Sequence, residues 1–151
     1  VSKENLAIAK SWLASSDEYN LLVNGTAITA FPVYYQNDLA LLLQSLRIVQ
    51  AGTEVAEVKG KDLIPAHGLA MSRLLKTSVF STEALTYEQA IAYLRKEAIV
   101  LPPSVPKGYV LVTYKEIPLG FVKNIGNRAN NLYPQEWRIR SGYLPDDIRT
   151  L

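Results

Sequence analysis

Cysteine is absent from this chain, and histidine occurs once, at His67. The first absence excludes disulfides, thiolate metal sites and cysteine nucleophiles. The second excludes a multi-histidine metal centre and leaves a single imidazole with no nucleophile or metal motif beside it. The His67 ring is expected to hydrogen-bond a backbone or carboxylate group and fix a helix start. No glycine-rich turn follows a strand and opens a helix, so no dinucleotide or S-adenosylmethionine loop is indicated, and no G-x-x-x-x-G-K motif is present. No apolar run approaches the roughly 20 residues of a membrane helix, and the amino terminus has no basic-then-apolar pattern. Methionine occurs once, at Met71, and the first residue is Val1. The chain therefore reads as a segment of a longer protein or a processed product.

What is present is an ordinary folding composition. The 151 residues are 48% hydrophobic and 20% charged, with a net charge of +2. That suits one domain or two small ones sharing a core. The charge is unevenly placed. Between Lys107 and Arg140 stand Lys107, Lys115, Lys123, Arg128, Arg138 and Arg140, opposed only by Glu116 and Glu136. A local basic excess of this kind is the footprint of a polyanion site.

Periodicity predicts a helix over Lys3–Ala14, capped by Ser2, with Leu6, Ala9 and Leu13 on its apolar face. Tyr19–Val23 and Thr26–Phe31 read as a hairpin around Asn24-Gly25, a pairing suited to a type I′ turn. A second helix begins at Asn37 or Asp38 and carries the stripe Leu39, Leu42, Leu43, Leu46. Arg47–Gln50 and Thr53–Lys59 are expected to pair as strands. Pro65 suits the first turn of a third helix running to about Leu75. Thr86 and Gln89 predict a capping box at the start of a fourth, with Leu85 and Ala90 as its staple. Ile99–Leu101 reads as a short strand. Pro102, Pro103 and Pro106 mark a boundary, and two strands follow, Tyr109–Tyr114 and Ile117–Lys123, with Gly120 at a bulge or close backbone approach. The tail from Tyr143 is expected to be loosely held, with Asp146-Asp147 facing solvent. The expected class is α+β: a helix/strand subdomain over 1–98, then a β module over 99–151.

Two segments carry the candidate chemistry. Asn124–Asn131 reads Asn-Ile-Gly-Asn-Arg-Ala-Asn-Asn. Asn127, Asn130 and Asn131 offer paired donors and acceptors suited to base edges or a 2′-hydroxyl, and Arg128 can grip a phosphate through two parallel bonds. The same composition also suits a structural loop whose amides bond their own backbone. In Trp137-Arg138-Ile139-Arg140, strand alternation would put both arginines on one side; a charged protective edge is the other reading. Lys107 and Lys123 come from the same module. Among the aromatics, Tyr109, Phe121 and Trp137 are expected in the core, and Tyr133 is the one expected to be exposed for stacking.

The pieces Pro65-Ala66-His67-Gly68-Leu69-Ala70, Ala92-Tyr93-Leu94-Arg95, Lys107-Gly108-Tyr109-Val110-Leu111-Val112, Pro118-Leu119-Gly120-Phe121-Val122-Lys123, Asn130-Asn131-Leu132-Tyr133-Pro134 and Trp137-Arg138 occur in that order. Together they resemble the carboxy-terminal region of RsmF-like, Sun-type ribosomal RNA 5-methylcytosine methyltransferases. The resemblance implies a PUA-like, barrel-type RNA-binding module at the end of the chain. It implies a non-catalytic role in positioning small-subunit ribosomal RNA, in the cytoplasm. S-adenosylmethionine and the catalytic residues would belong to a separate methyltransferase domain. A module that docks on that domain, with incidental RNA contact, is the alternative.

Overall fold

The computed structural model describes residues 1–142, and the expectations for Tyr143–Leu151 lie outside the described residues. The class is α+β, as expected: two four-stranded sheets with helices packed on and between them. The first sheet has the order β1-β2-β3-β4, from Tyr19–Asn24, Ala27–Pro32, Thr53–Lys59 and Asp62–Pro65, all antiparallel. The second has the order β5-β6-β7-β8, from Ser81–Ala84, Gly108–Tyr114, Ile117–Asn124 and Ala129–Asn131. Its β5 runs parallel to β6, and the remaining pairs are antiparallel. Among the described residues this sheet is open: no pairing joins β5 to β8 into a closed barrel.

Local chemistry explains most elements. Ser2 caps α1 (Lys3–Ser11) by accepting from the Asn5 amide at 3.1 Å. The β1–β2 hairpin forms, but its turn residues are Gly25 and Thr26. Only Gly25 has positive φ (+60), which makes the turn type II′ rather than I′. The I′ geometry appears instead between β6 and β7, where Lys115 and Glu116 both take positive φ. Thr86 and Gln89 form the expected capping box on α4 (Tyr87–Leu94), at 3.0 and 3.2 Å.

Three expectations give way. Arg47–Gln50 forms no strand; β3 pairs with β2 and with β4 across the turn at Gly60. Pro65 ends β4 rather than opening a helix, and α3 is only His67–Met71. Helix α2 (Gln36–Ser45) starts without a side-chain cap, so neither Asn37 nor Asp38 plays that part. Ile99 makes a single bridge to Ala129.

One core lies between the sheets. It holds Ala9, Trp12, Leu13, Ile28, Val55 and Leu69 from the first half and Leu111 and Phe121 from the second. The other core lies on the far face of the second sheet, where Ala90 and Tyr93 of α4 cover Val110, Val112 and Val122. Both β5 and α4 precede residue 98 yet pair with and pack on the second sheet. By hydrogen bonding and packing, the changeover between halves falls before Ser81 rather than at residue 98. Phe80 spans the junction, with ring centroids 5.2 Å from Trp12 and 4.9 Å from Phe121.

Candidate nucleic-acid interface

The second sheet divides the expected RNA contacts between its two faces. Cross-strand pairing sets Tyr109, Lys123 and Asn130 in one row on the face turned toward the first sheet. There the Lys123 ammonium binds the Asp62 carboxylate of β4 at 2.7 Å and lies 5.5 Å from the centre of the Tyr109 ring. The hydrogen bond from Lys123 to Asp62 raises its pKa further. Lys123 therefore ties the two sheets together, and an incoming phosphate has to compete with Asp62 for it. Asn130 is exposed beside it.

The loop from β7 to β8 is organised by its own amides, as the structural reading of it anticipates. The Asn124 side chain donates to the carbonyls of Val105 and Pro106, both at 3.1 Å, and accepts from the Gly126 amide at 3.1 Å. Asn127 and Arg128 remain exposed at the tip. Lys107 runs alongside, close enough that a Cβ on Gly126 would sit 3.0 Å from its Cε. Lys107 thus flanks the turn at Gly126 that leads into the exposed Asn127 and Arg128.

Asn131 points the other way. Its amide nitrogen donates to the carbonyls of Tyr93 (2.7 Å) and Glu97 (2.8 Å), and its oxygen accepts from the Tyr133 amide (2.8 Å). That spends the side chain on closing the end of α4, so it does not face a ligand. Tyr133 is half-buried, not exposed: it packs edge-on against His67 and Tyr93, at 5.2 and 5.5 Å. Trp137 shows the reverse. Expected in the core, it is 60% exposed. Phe121 is buried as expected, and Tyr109 is half-buried.

The Trp137–Arg140 segment is not a strand. Gln135–Trp137 is a single 3-10 turn, and the chain then lies across the end of α4, where the Ile139 amide donates to the Leu94 carbonyl at 2.9 Å. Arg138 and Arg140 border a shallow hollow of about 440 Å³, together with Arg95, Glu97 and Ile139. Arg95 was not anticipated from the sequence. It sits at the C-cap of α4 and donates to the carbonyls of Ser141 and Gly142 at 3.0 and 3.3 Å. Its place after a strong helix pattern is the feature that flags it: cations suit the carbonyl-rich end of a helix.

On the other side of this segment a larger cleft of about 710 Å³ opens between the two halves. Its walls include Glu54 and Glu57 of β3, His67 of α3, Lys96, Glu136 and Trp137. His67 stacks edge-on to Trp137 at 5.3 Å, and its Nδ1 is buried without a hydrogen-bond partner among the described residues. Packing therefore holds the ring, rather than the expected hydrogen bond. Burial lowers the His67 pKa below its ordinary value. Glu54 is pushed above the ordinary carboxylate value by burial and then by Glu57. The Lys96 ammonium is lowered by burial, with Glu136 opposing, and donates to the Asn131 carbonyl at 2.7 Å.

Residues 80–139 match the family model of the methyltransferase RsmF PUA domain. Over those residues the chain is similar to the RsmF PUA domain. It is 28% identical over 138 residues to the ribosomal RNA small subunit methyltransferase F of Enterobacter sp. (strain 638), covering 91% of this chain and 27% of that protein. The protein of the same name from Shigella boydii serotype 4 (strain Sb227) is 30% identical over 76% of this chain and 22% of its own length. That of Shewanella piezotolerans is 28% identical over 79% of this chain and 24% of its own. The chain thus spans about a quarter of the length of these relatives. The family match opens at residue 80, one residue before the second sheet begins, and ends at 139, beside the arginine hollow.

Proposed function

We propose that this chain is a non-catalytic RNA-binding region that positions small-subunit ribosomal RNA for a methyltransferase domain. The observation that carries the reading is the hollow edged by Arg95, Arg138 and Arg140, inside or next to the segment that matches the RsmF PUA domain. Guanidinium groups grip phosphates through paired hydrogen bonds, and three around one hollow suit consecutive phosphates of a strand. Lys107, Asn127, Arg128 and Asn130 form a secondary contact area, with Lys123 joining it when it leaves Asp62. A ribosomal RNA substrate sets the cytoplasm as the working location; among the described residues, no helix is long and apolar enough to cross a membrane.

S-adenosylmethionine belongs, in this reading, to the methyltransferase domain of a longer parent protein. The residues here do not fit it. Gly68 lies in the first turn of α3, just after β4, but a Cβ there would lie 3.0 Å from the Glu54 carbonyl. That glycine serves packing against β3 rather than a cradle for a ligand, and no chemical step runs through the cofactor in this region.

The test is filter binding of the chain to small-subunit ribosomal RNA across a salt series. Affinity falls as salt rises. Arg138→Ala or Arg95→Ala weakens binding and makes the salt slope shallower by roughly 0.7 for each single-strand phosphate that is no longer gripped. Affinity that does not respond to salt would remove the proposal.

A specific observation also favours docking on the methyltransferase domain. Leu41, Leu42, Leu43 and Leu46 on and beside α2 are exposed, with Tyr34, Tyr35 and Val49 nearby in sequence and exposed too. Apolar clusters of this kind mark protein contact surfaces. Hydrogen exchange of residues 36–46 checks it: protection rises in a longer RsmF-like parent relative to this chain alone, and equal exchange in both would count against docking.

A further inference from the structure

We infer that the 710 Å³ cleft between the two halves receives one unpaired nucleobase carrying an exocyclic amine, stacked on Trp137, an assignment that rests on the RNA-binding reading above. Trp137 is the large aromatic left open at the cleft, 60% exposed, and it is braced edge-on by His67, which is itself braced by Tyr133. A braced, exposed indole is a stacking platform whose ordering cost is already met by the fold. Trp137 is also the immediate chain neighbour of Arg138. A strand whose phosphates lie on Arg138, Arg140 and Arg95 therefore passes the mouth of the cleft, within reach of one base.

Charge selects the part of the nucleotide that enters. Three carboxylates (Glu54, Glu57 and Glu136) and two ammonium groups (Lys59 and Lys96) line the cleft. Lys96 is already committed to the Asn131 carbonyl. A phosphate meets an excess of negative charge there, whereas a neutral base does not. Carboxylates accept hydrogen bonds and donate none when ionised, so they favour bases with amine donors, such as adenine and cytosine, over uracil. Glu54 is half-buried in the cleft wall and has no ion-pair partner among the described residues, so a base amine supplies a donor where the fold supplies none.

Intrinsic fluorescence tests this, since Trp12 is buried and Trp137 is the accessible tryptophan. The chain is titrated with short single strands of equal length: adenosine, cytidine, uridine and an abasic strand of the same phosphate number. Adenosine or cytidine strands quench the emission and bind about tenfold more tightly than the abasic strand. Trp137→Ala abolishes that margin while Trp137→Phe keeps most of it, and Glu54→Gln narrows the preference over uridine. Equal affinity for abasic and base-bearing strands overturns the base pocket while salt-dependent binding leaves the phosphate reading intact. Uridine binding as tightly as cytidine overturns the amine selection. Failure of every strand to bind overturns this inference and the RNA reading together.

Discussion

Helices α2 and α4 are similar in length and opposite in finish. Helix α4 is fastened at every point. Its first turn is closed by the Thr86–Gln89 box, and Gln89 also donates to the Val100 carbonyl at 3.2 Å. Its middle is pinned by the fully buried Tyr93, whose hydroxyl donates to the Phe121 carbonyl at 3.1 Å. Its last turn closes in a Schellman arrangement, with Lys96 at positive φ and the Glu97 amide reaching the Ala92 carbonyl at 2.9 Å. Asn131 then takes the Tyr93 and Glu97 carbonyls. Helix α2 has no side-chain cap and no buried residue; Leu39 is half-buried, and Leu41, Leu42 and Leu43 are exposed. A leucine stripe establishes which side of a helix is apolar, but it does not supply the surface that covers it. Helix α4 completes its core within the chain; α2 presents an unfinished one.

Substitutions break or sharpen this contrast. The largest effect is expected at Gly120, which has φ +147 and approaches α4 so closely that a Cβ would lie 2.2 Å from the Tyr93 hydroxyl. Gly120→Ala adds backbone strain to overpacking that alone costs about 1–3 kcal/mol, read as a lowered urea midpoint. Asn131→Ala comes next. It leaves the Glu97 carbonyl without its donor, removes one of the two donors to the Tyr93 carbonyl, which keeps the Lys96 amide at 2.9 Å, and costs about 2 kcal/mol, whereas Asn130→Ala, one residue away and exposed, stays within about 0.5 kcal/mol. Thr86→Ala removes the cap of α4 for about 1 kcal/mol; Asp38→Ala at the uncapped α2 changes stability little. A smaller, pH-dependent effect belongs to Glu54. Its folded pKa is raised by burial and then by Glu57, so the folded state holds this proton more tightly than the unfolded chain. That contribution is fully present below the unfolded value of 4.5 and is lost as pH rises through the folded value. Glu54→Gln should therefore raise the urea midpoint at pH 7 relative to wild type and leave it nearly unchanged at pH 4.

The same contrast explains what the sequence made legible. Several signals confined to a few neighbouring residues read correctly: the Ser2 cap, the Thr86–Gln89 box, the β6–β7 hairpin and the close approach at Gly120, whereas the Asn37 or Asp38 cap and the I′ turn at Asn24-Gly25 did not. Signals that depend on distant partners did not. Pro65 suits a helix start locally, but pairing of Ala56 with Pro65 keeps it in β4. Trp137 and Tyr133 exchanged their expected places because Tyr133 finds His67 and Tyr93 to pack on, while Trp137 is held at the rim by the chain crossing α4. The asparagine-rich loop held both of its readings at once: Asn124 and Asn131 build the fold, and Asn127 and Asn130 are left to solvent. Arg95 escaped notice because nothing in its own neighbourhood announces the two arginines that arrive more than forty residues later.

The Trp12–Phe80–Phe121 stack has a consequence for how a long polymer would be held. Phe80 is where a flexible tether would stand if the halves were independent, yet it is wedged against rings from both. A strand touching the first sheet and the second therefore meets one rigid template rather than two beads on a string. In the RNA-binding reading proposed above, the second grip follows the first without any search through linker conformations, and the distance between grips is fixed in advance.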